Sequence, residues 1–145
     1  MRHILNSIVF LLAISALSAQ TTEEMVEWTV TLDRAESVIV IEANIAEGWF
    51  TYSQHMEPEG PIPTEFEFET VSGAVLTGEV VEMTTPIKKY SEMFEMDVLK
   101  FSKYAKFVQK VELSDGPVDI KGSIFFMACD AHKCLPPTSV AFTLD

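Results

Sequence analysis

The sequence predicts an all-β domain, an immunoglobulin-like antiparallel β-sandwich, and three observations predict it. Apolar and polar residues alternate with a period of two in run after run, while no stretch beyond residue 19 carries a long 3.6-residue repeat. Turn residues punctuate those runs at short intervals. No helical pattern separates the runs, so nothing supplies the crossovers that a parallel sheet needs. Alternation does not say whether sheets close, and a barrel stays open as the alternative.

The chain opens with an address. Arg2 and His3 precede the apolar run Ile8 to Ile14, and the small residues Ser15, Ala16, Ser18 and Ala19 follow. This is the pattern of a secretory signal peptide over residues 1–19, cleaved near Ala19. The run is too short for a bilayer span, and no Cys lies near the junction to carry a lipid, so no stable membrane insertion is expected. The folded domain is then 20–145.

Val26, Trp28, Val30 and Leu32 alternate with Glu27, Thr29 and Thr31, which predicts the first strand over 26–32. Residues 37–45 are rich in β-branched side chains, as in a strand buried on both faces. After the break at Gly48, 49–52 reads as a short aromatic strand leading into Gln54, His55 and Met56. A stiff Pro/Gly loop follows over 57–63. Glu65-Phe66-Glu67-Phe68-Glu69 places two rings on one face and three carboxylates on the other, a strand with one wet side. Residues 75–81, 96–101, 107–113, 118–127 and 140–144 complete the set, with turns at Ser72-Gly73 and Asp115-Gly116-Pro117. No internal repeat or composition shift divides the domain.

Composition bounds the function. The 145 residues are 48% hydrophobic, too apolar for disorder, and hold 22 Asp and Glu against 10 Lys and Arg, a net charge of −12. That balance opposes binding to nucleic acid or anionic lipid, and no nucleic-acid partner is expected. Phosphate loops, nucleophile elbows and zinc-protease His pairs are absent from the sequence. Glu65, Glu67 and Glu69 read as a solvated face.

Chemistry concentrates in Phe125 to Pro137, where a strong strand runs into Cys129, four residues intervene, and Cys134 precedes Leu135-Pro136-Pro137. These are the only two cysteines. In an exported chain the pair can form a disulfide, and the prolines limit how the loop relaxes. A bridge over so short a loop removes little chain entropy, worth about 2 kcal/mol, whereas a loop-borne bridge presents its sulfurs to other thiols. Lys133 and His132 favour a thiolate there and Asp130 opposes one. Two other readings stay open. One is a non-catalytic immunoglobulin-like binding or assembly module with a structural disulfide. The other is Cu(I) handling by Cys129, His132 and Cys134, with His55, Met56 or Met127 as further soft ligands.

The chain resembles the amino-terminal, periplasmic, immunoglobulin-like domain of the DsbD thiol:disulfide interchange protein family. The resemblance rests on Gly48-Trp49-Phe50-Thr51-Tyr52, on Gly60-Pro61-Ile62-Pro63-Thr64 with the Phe strand after it, on Phe94, and on Ala128-Cys129 through Cys134-Leu135-Pro136-Pro137. It implies a periplasmic protein-disulfide reductase component, without cofactor or metal, that passes reducing equivalents to or from thioredoxin-fold redox proteins. Cys134 then forms the mixed disulfide and Cys129 resolves it. Ser91-Glu92-Met93-Phe94 matches the family's cap over the sulfurs, with Phe94 as the cap residue and a core role as the alternative. Tyr52 matches an aromatic beside the cysteines, with an ordinary buried Tyr as the alternative. The family's usual spacing has five residues between the cysteines, against four here, so loop geometry and reduction potential are open. In the family the chain continues into a membrane electron conduit and a thioredoxin-like domain, which a separate membrane protein would supply here.

Overall fold

Alternation along the chain becomes ten antiparallel strands in a computed structural model that describes residues 19–145. The signal-peptide reading falls on residues 1–18 and so outside the described residues, apart from Ala19. In chain order the elements are α1 (Thr22–Met25), β1 (Val26–Asp33), β2 (Val38–Ile45), β3 (Thr51–Tyr52), β4 (Glu65–Ser72), β5 (Ala74–Glu82), β6 (Ile87–Ser91), β7 (Met96–Phe101), β8 (Tyr104–Leu113), β9 (Asp119–Phe126) and β10 (Thr138–Leu144). One sheet has the order β1-β2-β8-β5, a second β10-β9-β4, and a small third β3-β7-β6. The first two carry the sandwich, and the third sits where the cysteine loop lies.

The main core is what the alternating positions supply: Ile39, Ile41 and Ala43 of β2, Ala105, Phe107 and Val111 of β8, and Ile120, Ile124 and Phe126 of β9. Trp28 of β1 meets the rings of Phe66, Phe107 and Phe126 at centroid distances of 6.0, 5.8 and 5.4 Å, joining the two sheets through edge and tilted aromatic contacts. The β2 strand differs from expectation. Its Ile39, Ile41, Ala43 and Ile45 face is buried, but Val38, Val40 and Glu42 on the other face are only half-covered and Asn44 is exposed, because no layer packs there as it would in a parallel α/β sheet.

Two turns carry the chain between sheets. Gly73 joins β4 of the second sheet to β5 of the first, and Asp115-Gly116-Pro117 returns it from β8 to β9. The crossings touch: the Ser114 N–H donates to the Gly73 carbonyl at 3.0 Å, and a side chain at Gly73 would collide with the Pro117 carbonyl. At φ +76° the position also demands a left-handed backbone, so glycine is required twice over. In β5 the pairing slips between Thr77 and Val81, and the buried Gln109 amide donates to the carbonyls of Thr77 and Gly78 that the slip leaves over.

Gly122 in β9 lies in register with Phe68 on one side and Phe142 on the other, whose rings meet edge to face at 5.7 Å. An added methyl would overlap the Glu67 carbonyl and the Phe142 ring. Gly122→Ala is therefore expected to destabilise the domain by about 1–3 kcal/mol, a fall of roughly 3–10 °C in Tm. Thermal unfolding checks it, and an unchanged Tm would show that the rings can part without cost.

Two elements had no counterpart in the sequence reading. The one-turn α1 is closed by a capping box in which Thr21 Oγ1 accepts from the Glu24 N–H and Glu24 Oε2 accepts from the Thr21 N–H, a Thr-x-x-Glu signal that was available. The edge strand β6 is exposed at Ile87 through Tyr90, so no apolar alternation announces it. Pairing with β7 alone defines it.

Candidate functional site

The 127–137 connection leaves β9 at its buried end and is held on three sides. Phe50 and Cys129 exchange both backbone hydrogen bonds, at 2.9 and 3.0 Å, so the aromatic segment before β3 pairs directly with the cysteine. Thr51 Oγ1 donates to the Met127 carbonyl at 2.8 Å, and Thr22 Oγ1 of α1 donates to the Pro136 carbonyl at 2.6 Å. Within the loop the Leu135 N–H reaches the Ala128 carbonyl and the Asp130 N–H reaches the Lys133 carbonyl. Cys129 and Cys134 thus face each other as a non-hydrogen-bonded antiparallel pair, the closer of the two kinds, with Cα atoms 4.0 Å apart. They form a disulfide, and the protein has no free cysteine.

The two sulfurs stand in different surroundings. Cys129 is 0% exposed, inside a small second core with Tyr52 and Val98, while Cys134 is half-buried at its margin. Phe50, Met56, Phe94, Met96 and Met127 fill the rest of that cluster. Tyr52 lies beneath: its ring meets Phe50 at 5.8 Å and Phe94 at 6.2 Å, both nearly perpendicular. Its carbonyl accepts from Thr64 Oγ1 at 2.6 Å, which fastens the Pro/Gly loop behind the site. Burial pushes the Tyr52 phenol up to about 12, so it stays neutral across the ordinary pH range.

The β6–β7 turn closes over this cluster. Phe94 lies there, half-buried on Tyr52 and packed against the cluster that holds Cys129, and its neighbour reaches the other sulfur: Met93 Sδ is 3.5 Å from Cys134 Sγ. Met93 is 47% exposed. The sequence reading placed the right segment here but gave Met93 no role of its own, because the direction of a side chain in a tight turn does not follow from periodicity. Glu95, at φ 54°, gives the turn its reversal.

Asp130 Oδ1 accepts from the backbone N–H groups of His132 at 2.7 Å and Lys133 at 2.8 Å, bonds that hold its carboxyl below the usual range and fix the tip of the loop. A groove of about 320 Å³ runs from the loop along the third sheet, with Phe50, Tyr52, Val98, Lys89 and Lys100 among its walls. The copper arrangement is not assembled. The cysteines are bonded to each other, Met56 Sδ accepts the Leu99 N–H at 3.4 Å, and among the described residues no group of three or more His, Cys, Asp or Glu is placed to hold a metal ion.

Residues 18–145 match the family model described as thiol:disulfide interchange protein DsbD, N-terminal. No curated protein sequence is a significant match. Among solved structures, the reduced DsbD N-terminal domain of Neisseria meningitidis is similar with a TM-score of 0.63 at 14% identity, over 86% of this chain and 87% of that one. The Neisseria meningitidis complex between the DsbD N-terminal and PilB N-terminal domains gives 0.62 at 14% identity, over 86% and 85%. The N-terminal periplasmic domain of ScsB from Proteus mirabilis gives 0.55 at 17% identity, over 81% of this chain and 44% of that one. These likenesses agree on the immunoglobulin-like sandwich.

Proposed function

The chain belongs to the DsbD N-terminal family, and from that membership we propose that Cys129 and Cys134 cycle between dithiol and disulfide, passing reducing equivalents to or from thioredoxin-fold redox proteins in the periplasm. The unequal burial of the two sulfurs carries this reading. An incoming thiolate approaches along the S–S axis and bonds to the sulfur it can reach, which is Cys134 Sγ. The S–S bond breaks, and Cys129 leaves as the thiolate, which takes up a proton. A second thiol of the partner then attacks the partner's sulfur in the mixed disulfide and releases Cys134, so the pair gains two electrons and two protons and the partner becomes the disulfide. In the opposite direction the Cys134 thiolate attacks a partner disulfide and Cys129 attacks Cys134 Sγ in the mixed disulfide, so the bridge re-forms and two electrons and two protons pass to the partner. The complex between the Neisseria meningitidis DsbD and PilB N-terminal domains supports a protein partner for such an exchange.

Export fits this assignment. Residues 1–19 serve as the cleaved signal and 20–145 as the working module, and no helix among the described residues is long and apolar enough to cross a membrane. Phe94 and Tyr52 act on the site as cap anchor and floor.

Equilibration in thiol redox buffers tests the reading. An exchanging pair is expected to have a reduction potential above about −300 mV, whereas a value well below that marks a bond that resists exchange and supports the binding module with a structural staple.

A further inference from the structure

Lys89 and Lys100 share one face of the β6–β7 pair. In the register Ile87 lies opposite Lys100 and Lys89 opposite Val98, so the two lysines are diagonal neighbours, with Tyr52 opposite Lys100 on its other side. Both line the groove, whose walls also include Asp130 and Ala131 of the cysteine loop and Met93, the residue in contact with Cys134 Sγ. Lys88, on the other face, is paired with Asp97 at 3.3 Å. No carboxylate among the described residues lies within ion-pair distance of Lys89 or Lys100. Lys100 Nζ instead rests 3.7 Å from the centre of the Phe50 ring. Partial burial, and then the charge of Lys89, lower its pKa, so the pair is held with like charges unrelieved.

Two carboxylates also border the groove. Asp130 is turned to the amides of its own loop, and Glu92 rides on the turn that carries Met93. Met93 of that turn lies 3.5 Å from Cys134 Sγ, so a partner that bonds to the sulfur displaces the turn at that contact. When it moves, Glu92 moves with it and the lysines face the newcomer.

We propose that this groove receives a carboxylate-bearing segment of the thioredoxin-fold partner, adjoining the partner's reactive cysteine, with Lys89 and Lys100 as its anchors. This rests on the exchange reading above. The protein's net charge of −12 repels an acidic partner at long range, but salt screens that field beyond about 8–10 Å, and inside that distance the two lysines dominate. They therefore select the residues next to the cysteine rather than the partner as a whole.

Two peptides carrying an activated disulfide test this, one with Glu residues flanking the cysteine and one with Gln. Hydroxyethyl disulfide serves as an uncharged control. The reduced protein is expected to react with the Glu peptide about tenfold faster than with the Gln peptide at about 0.1–0.15 M salt, where the long-range field is screened. In K89Q/K100Q, where the side-chain stems over Phe50 persist, the ratio should fall to about one. In the exposed single variant K89E it should fall below the wild-type value. Equal rates for the two peptides, or a preference that survives K89Q/K100Q, overturn the proposal. Failure of the reduced protein to react with any of the three disulfides overturns the exchange reading and the groove assignment with it.

Discussion

Cys134→Ser is expected to abolish exchange with thioredoxin-fold proteins, by about a thousandfold or more, while Cys129→Ser stops it halfway with the partner attached. The difference follows from position. Cys129 lies wholly inside the Tyr52 and Val98 cluster, and Cys134 stands half-open at its edge beside Met93. With only Cys134 present, its thiolate attacks a partner disulfide and no second sulfur is available to resolve the product. With only Cys129 present, the remaining thiol is buried from any foreign sulfur.

Stability does not account for this asymmetry. Both substitutions remove the same bridge over the same short loop, and each loses about 2 kcal/mol by that route. Non-reducing electrophoresis and intact mass after incubation with an oxidised thioredoxin-fold protein read the result: an adduct with Cys129→Ser and none with Cys134→Ser. Equal adduct yields would mean that the loop opens enough to expose both sulfurs, and the assignment of Cys134 as the attacked atom would fall.

The sandwich was legible because its strands have one buried face each, and a period of two records that directly in Val26 to Leu32 and in Glu65 to Glu69. β6 was not legible, for the opposite reason. Ile87, Lys88, Lys89 and Tyr90 are all exposed, so no burial pattern is written into them. What places that strand is its backbone pairing to β7, a long-range choice that local sequence does not encode. The site divides in the same way. Two cysteines flanking a four-residue loop with prolines after it could be read from spacing. The Met93 contact and the adjacency of Lys89 to Lys100 depend on the β6–β7 pairing and its turn, and were hidden with them. Gly73 was legible as a turn, but not as the place where the chain changes sheets. That depends on Pro117, 44 positions away, being packed against it.

Opening the cap should speed attack by small thiols, and Phe94→Ala should do so more than Met93→Ala. The Phe94 ring holds the turn down through its perpendicular contact with Tyr52 and its place in the second core. An aromatic pair of this kind contributes about 0.5–1.5 kcal/mol, and burying part of a Phe side chain adds about 1 kcal/mol or more. If reduction requires the turn to lift, removing the ring raises the lifted population by the same free energy, so reduction by dithiothreitol should accelerate roughly tenfold to a hundredfold. Met93 covers Cys134 Sγ without anchoring the turn, being half-exposed itself, so its loss should accelerate the same reaction only a few-fold, by about 1 kcal/mol of cover at most. Stopped-flow reduction of the oxidised variants, paired with their Tm values, separates a lid from a core residue. A Phe94→Ala protein with a lowered Tm and an unchanged reduction rate has lost packing alone, and the ring then belongs to the interior. A rate that rises while the Tm holds places the free energy of that ring in the closed turn, where a partner must displace it to reach the sulfur.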